Sequence, residues 1–189
     1  AMTAPIQPQA VRALASRTLR SAVETPSAAA AFFVFYLIAG YLFALPLFLT
    51  NQASIRGLLD ATPLLLTLLT PALTMGLLSE ELRAGTFETL ATSPLEDWDI
   101  VLGKFLGFAA LQALLVAGLL FFPLLLSWLA APPGLDWAES LGVLAGLFFQ
   151  GLMFGAIGLF ASSLKRSQAA AFLTAFLICF GVFAGGKFA

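Results

Sequence analysis

Side chains able to do chemistry are scarce in this sequence, and the largest group of them crowds into one place. Glu80, Glu81, Arg83, Glu88, Glu96, Asp97, Asp99 and Lys104 all fall within SEELRAGTFETLATSPLEDWDIVLGKF, Ser79 to Phe105. No histidine occurs, which removes imidazole general bases, Ser-His pairs and His metal ligands together. There is no HExxH, no Walker lysine loop and no credible acid/base pair. Cys179 is the single cysteine, so no internal disulfide forms, and it reads as a small apolar packer. Catalysis by this chain and a metal site are therefore not expected. The charged segment has to work by contact.

Within that segment, Gly85 breaks the preceding helix and Thr86 can cap a short new one. Phe87, Leu90, Ala91 and Pro94 then share a face at i, i+3, i+4 and i+7. Ser93-Pro94-Leu95-Glu96 combines a capping box with proline at the first helical position, and Glu96, Asp97 and Asp99 complement the dipole of the helix that follows. The apolar face fits a cleft on a partner. A solvated turn, or packing on a membrane surface, would produce the same pattern.

The elements that must hold this segment are apolar. The chain is 60% hydrophobic and 10% charged, with mean hydropathy +0.98, against roughly 45–50% and about 25% for a soluble domain. Five stretches are long and uncharged enough to cross a bilayer, at about 28–50, 58–78, 105–131, 140–164 and 169–186, each near or above the roughly 20 residues a span needs. The first is too long for the roughly 7–15-residue apolar core of a signal peptide. An all-α, polytopic transmembrane helical bundle in one domain over 1–189 is expected, with 79–104 as its long charged connection. The nearly balanced charge, net −1, gives no reason to expect nucleic acid.

Orientation follows from the basic residues. Arg12, Arg17, Arg20, Arg83, Lys104, Lys165 and Arg166 fall on one side of the spans, against Arg56 and Lys187 on the other. The positive-inside rule places the larger group, and the N-terminus, in the cytoplasm. Trp128 and Trp137 then sit at the outer interface and Trp98 at the inner one. Residues 11–23 gather Val11, Leu14, Ala15, Leu19, Ala22 and Val23 opposite Arg17 and Arg20, the pattern of an amphipathic interfacial helix or of a basic flank before a span.

Inside the spans little is ionisable. The deepest charge is Asp60, within a turn of the outer edge, so no intramembrane carboxylate is placed to bind protons or sodium. If this protein moves something, a partner supplies the energy. Glycines recur four apart at 103/107, 142/146, 151/155 and 181/185 and are read as close helix packing. Thr67, Thr70 and Thr74 form one stripe beside Pro63 and Pro71. Their hydroxyls either satisfy backbone groups freed by proline, bond a neighbouring helix, or line a pathway.

The stretch PALTMGLLSEELRAGTFETLATSPLEDWDIVLGKFLG, Pro71 to Gly107, resembles the ABC-2 type permeases. It is similar in particular to the subgroup containing the gliding-motility and copper-maturation (nitrous oxide reductase accessory) permease subunits. TLRSAVETPSAAAAFFVFYLIAGYLF, Thr18 to Phe43, resembles the same family's entry into its first span. The resemblance implies a half-transporter membrane subunit that pairs with a second permease subunit, identical or not, in a bacterial inner membrane. It implies a separate ATP-binding subunit that carries ATP and magnesium, with no cofactor bound by this chain. It also implies six spans, hence one beyond those found here. On the family's pattern, Thr86, Phe87, Glu88, Leu90, Ala91 and Thr92 form the coupling helix that docks on the ATPase, and Glu80, Glu81 and Arg83 anchor the inner end of the second span.

The reading is thus the permease subunit of an ATP-driven export system. A non-transporting membrane anchor whose loop recruits a soluble partner is the alternative from another class. Apolar spans name no substrate.

Overall fold

The structure, a computed structural model, describes residues 8–50, 55–85, 97–129 and 136–188. Every element among them is an α-helix: α1 Pro8–Glu24, α2 Pro26–Thr50, α3 Arg56–Thr74, α4 Ser79–Ala84, α5 Asp97–Leu119, α6 Phe121–Leu129, α7 Trp137–Leu164 and α8 Gln168–Phe188. Among the described residues, five stretches are long and apolar enough to cross a membrane: Ala28–Leu45, Gly57–Ala84, Trp98–Trp128, Trp137–Leu164 and Gln168–Lys187. The chain is a polytopic transmembrane helical bundle.

Helix α7 is central, with α3, α5 and α8 packed on it, while α2 packs on α3. Its start is strongly specified, since Asp136 caps it by accepting from the N–H groups of Ala138 and Glu139 at 2.9 and 3.2 Å. The main core brings Phe35 and Phe43 of α2, Leu66 of α3, Leu115 of α5 and Leu147 of α7 into one cluster. Tyr36 crosses to α5 and donates to the Leu115 carbonyl at 2.7 Å. With so little hydrophobic drive between helices in lipid, such side-chain bonds and close backbone contacts carry the association.

Glycine supplies the close contacts in only half of the expected places. A Cβ on Gly103 would lie 2.6 Å from Leu14 Cβ, and one on Gly107 would lie 2.6 Å from Thr18 Cβ and 2.8 Å from the Ala15 carbonyl. Helix α1 therefore rests against the first half of α5. Gly151 and Gly155 likewise admit Gln112 and Phe108 of α5, whereas Gly142, Gly146, Gly181 and Gly185 have nothing within 4 Å. A four-residue spacing does not tell a face turned to the same chain from one turned outward.

The seat on α5 takes up part of the α1 face that the sequence assigns to the membrane surface. Val11 is buried there, Leu14, Ala15 and Thr18 are half-buried, and Arg12, Arg17 and Arg20 remain exposed. Replacing Gly107 by leucine is expected to overpack this seat by about 1–3 kcal/mol and lift α1 away. A cysteine at Leu14 should then be labelled by a water-soluble maleimide several times faster than in the otherwise unchanged chain.

The third span is not one helix. Pro123 has no N–H to give the Leu119 carbonyl and its ring crowds that turn. The chain tightens there, with the Leu120 N–H bonding the Ala117 carbonyl at 3.1 Å before α6 resumes. The sequence pattern reads straight through, because the residues on both sides are equally apolar.

Candidate functional site

The second span ends in an elbow. Helix α3 stops at Thr74, residues 75–78 turn, and α4 begins at Ser79. A break within an apolar layer releases backbone polar groups that lipid cannot satisfy, and here side chains from two other spans take them up. Ser162 of α7 accepts from the N–H groups of Leu78 and Ser79, each at 3.0 Å, and donates to the Met75 carbonyl at 3.0 Å. One donor and two acceptors is the full capacity of a hydroxyl. Ser79 Oγ donates to the same Met75 carbonyl.

Lys104 of α5 completes the elbow. Its ammonium donates to the Leu77 carbonyl and, at 2.8 Å, to Glu81 Oε1. The residue is only 6% exposed, where the sequence suggests a solvent-facing flank. Asp99, 1% exposed, lies in the same first turns of α5, so this helix starts well before the uncharged stretch 105–131 does. Acidic groups at a helix N-terminus complement its dipole, which lets the helix extend beyond its apolar run.

Helix α4 is short and fully bounded. Gly85 closes it in the left-handed region, φ +72°, which a side chain would resist. Of the expected anchors at the inner end of the second span, Glu81 faces Lys104, and Glu80 accepts from the Gln168 amide at the start of α8. Arg83 is exposed. Thus α5, α7 and α8 each hold one part of the elbow.

Thr86, Phe87, Glu88, Leu90, Ala91 and Thr92 lie outside the described residues. What the structure gives is their mounting. The segment leaves α4 at Gly85 and enters α5 at Asp97, and those two helices are tied by the Lys104–Glu81 pair.

Thr67, Thr70 and Thr74 are all buried, none more than 1% exposed. Thr67 donates to the Pro63 carbonyl and Thr74 to the Thr70 carbonyl, both at 2.9 Å. A proline frees the carbonyl four residues earlier, here those of Leu59 and Thr67, so these hydroxyls back-bond elsewhere in their helix. Gln150 of α7 donates across to the Pro63 carbonyl at 3.1 Å. The Thr70 hydroxyl and the Gln112 amide are enclosed without a hydrogen-bond partner among the described residues.

The sequence does not single out Ser162 or Lys104. A serine in an apolar span has many uses, and a lysine at a span end looks like a flank. Ser162→Ala should leave the Leu78 and Ser79 N–H groups unpaired at a cost of about 1–3 kcal/mol. Hydrogen exchange across 75–84 should accelerate about tenfold or more, with α7 unchanged elsewhere.

A family model described as ABC-2 family transporter protein matches residues 9–186. No curated protein and no solved structure gives a significant match.

Proposed function

Since the chain belongs to the ABC-2 transporter family and is a multi-pass membrane permease of an ABC transporter, we propose that it is the permease half of an ATP-driven exporter, coupled through residues 86–92. Family members work with an ABC ATP-binding subunit; in this reading it is a separate chain that carries ATP and magnesium. Phe87, Leu90 and Ala91 enter a cleft on that subunit, with Thr86, Glu88 and Thr92 at its rim. A second permease subunit, a copy or a relative, completes the pathway in a bacterial inner membrane. The Pro71–Gly107 stretch favours the gliding-motility and copper-maturation subgroup.

The observation that carries the proposal is the mounting of this loop. The elbow at 75–78 and the α4 helix after it are held by Ser162, Lys104 and Gln168 from three different helices, so a push on α4 reaches α5, α7 and α8 at once. Helix α1 rests on α5 at Gly103 and Gly107 and would move with it. A loop that merely capped two spans would not require buried charge at its base, because a buried ion pair is a poor source of stability compared with apolar packing. In this reading the end carrying α1, the elbow and Lys165 is cytoplasmic, which the basic residues favour.

Co-expression with a candidate ATP-binding subunit and reconstitution in liposomes tests this. ATP hydrolysis should rise several-fold when both chains are present. Co-purification with unchanged hydrolysis would instead mark the chain as an anchor that recruits a soluble partner.

A further inference from the structure

We propose that the groove between α5 and α7 at the elbow end of the bundle is a binding site for an anionic glycerophospholipid, one acyl chain in the groove and the phosphate on Lys165 and Arg166. The groove is about 350 Å³ and is lined by Leu78, Val101, Phe105, Leu159, Phe160 and Ser163, among others. Its walls are apolar, and it opens between two spans, where hydrocarbon is the solvent.

Charge at its mouth decides the class of lipid. Helix α7 ends at Leu164, and Lys165 then turns to extended backbone, φ −128° and ψ 132°. Lys165 and Arg166 are both exposed and come two and three residues after the groove residue Ser163. Among the described residues neither is ion-paired: Glu80 accepts from the Gln168 amide and Glu81 faces Lys104. Trp98, 65% exposed, sits almost one helical turn before Val101, the place of an interfacial aromatic at headgroup depth. An apolar slot with two cations that are unpaired among the described residues, and an aromatic at its mouth, matches an anionic lipid from phosphate to chain.

Occupancy bears on the elbow, since Leu78 both lines the groove and gives its N–H to Ser162. A chain packed on Leu78 would hold the break in its present form. The site does not depend on the coupling role proposed for residues 86–92.

Native mass spectrometry of the delipidated full chain, titrated with phosphatidylglycerol and with phosphatidylcholine, tests the site. Each basic residue strengthens binding to an anionic headgroup roughly fivefold, about 1 kcal/mol. Lys165→Gln/Arg166→Gln should therefore weaken phosphatidylglycerol roughly 25-fold and leave phosphatidylcholine unchanged. Ala156→Phe, which fills the groove from an exposed wall position, should weaken both lipids. Equal affinity for the two lipids in the unaltered chain overturns the proposal, as does unchanged phosphatidylglycerol binding in either variant. Displacement of phosphatidylglycerol by inorganic phosphate alone would show a bare anion site and also overturn it. So would a Val101→Cys chain that cross-links to a second copy in place of binding lipid.

Discussion

Replacing Phe87 and Leu90 together with alanine is expected to uncouple the chain from its ATP-binding subunit. Burying each of these side chains in a cleft is worth roughly 1.5–3 kcal/mol, so the pair should cost about 3–6 kcal/mol of docking free energy if both are desolvated in the complex. That is more than a hundredfold in affinity. The membrane fold should survive, since both residues lie between α4 and α5 rather than in either helix. The loop is also held at its base by Lys104 and Ser162, which the substitution leaves alone. Glu88→Gln at the rim should shift docking by less than tenfold, because exposed charges contribute little. Co-elution and stimulated ATP hydrolysis read both effects. Normal coupling in a folded double variant would make the loop a surface turn.

Lys104→Met is the second large effect, and it acts on the mounting rather than on the docking face. The substitution leaves the Leu77 carbonyl without its donor and Glu81 without its counter-charge. Breaking a buried pair from one side costs about 3–5 kcal/mol. Glu81 keeps 27% side-chain exposure, which allows some solvation and points to the lower end, about 3 kcal/mol. For a chain of this size that corresponds to a fall of roughly 6–12 °C in the thermal midpoint. Stimulated hydrolysis should drop while co-elution persists, because the docking face is untouched. The swapped pair Lys104→Glu/Glu81→Lys should recover part of the stability but not the bond to Leu77. Loss of co-elution in Lys104→Met would mean that the pair shapes the docking face itself.

These two residue sets also mark what could be read from the sequence. The spans were legible because membrane crossing demands long uncharged runs, and Gly85 was legible because a glycine after Glu80, Glu81 and Arg83 closes a helix. The elbow at 75–78 was not. Neither Gly76 nor Pro71 specifies a break there, and what sustains it comes from Ser162 and Lys104, many residues away in sequence. Long-range hydrogen bonds leave no local pattern. The kink before Pro123 had a local signal that the surrounding apolar run concealed. Cys179 is fully buried, in keeping with a small packer. The threonine stripe was legible as one helix face, but neither its full burial nor the carbonyls its hydroxyls reach could be read from it.

Docking of the ATP-binding subunit on the loop between α4 and α5 has a direct signature. A photo-reactive amino acid placed at Glu88, with a matching one at Trp137 at the opposite end of the bundle, tests it in the reconstituted complex. A cross-link to the ATP-binding subunit is expected from position 88 and none from position 137. A cross-link from 137, or none from 88 in a complex that hydrolyses ATP normally, would contradict this docking.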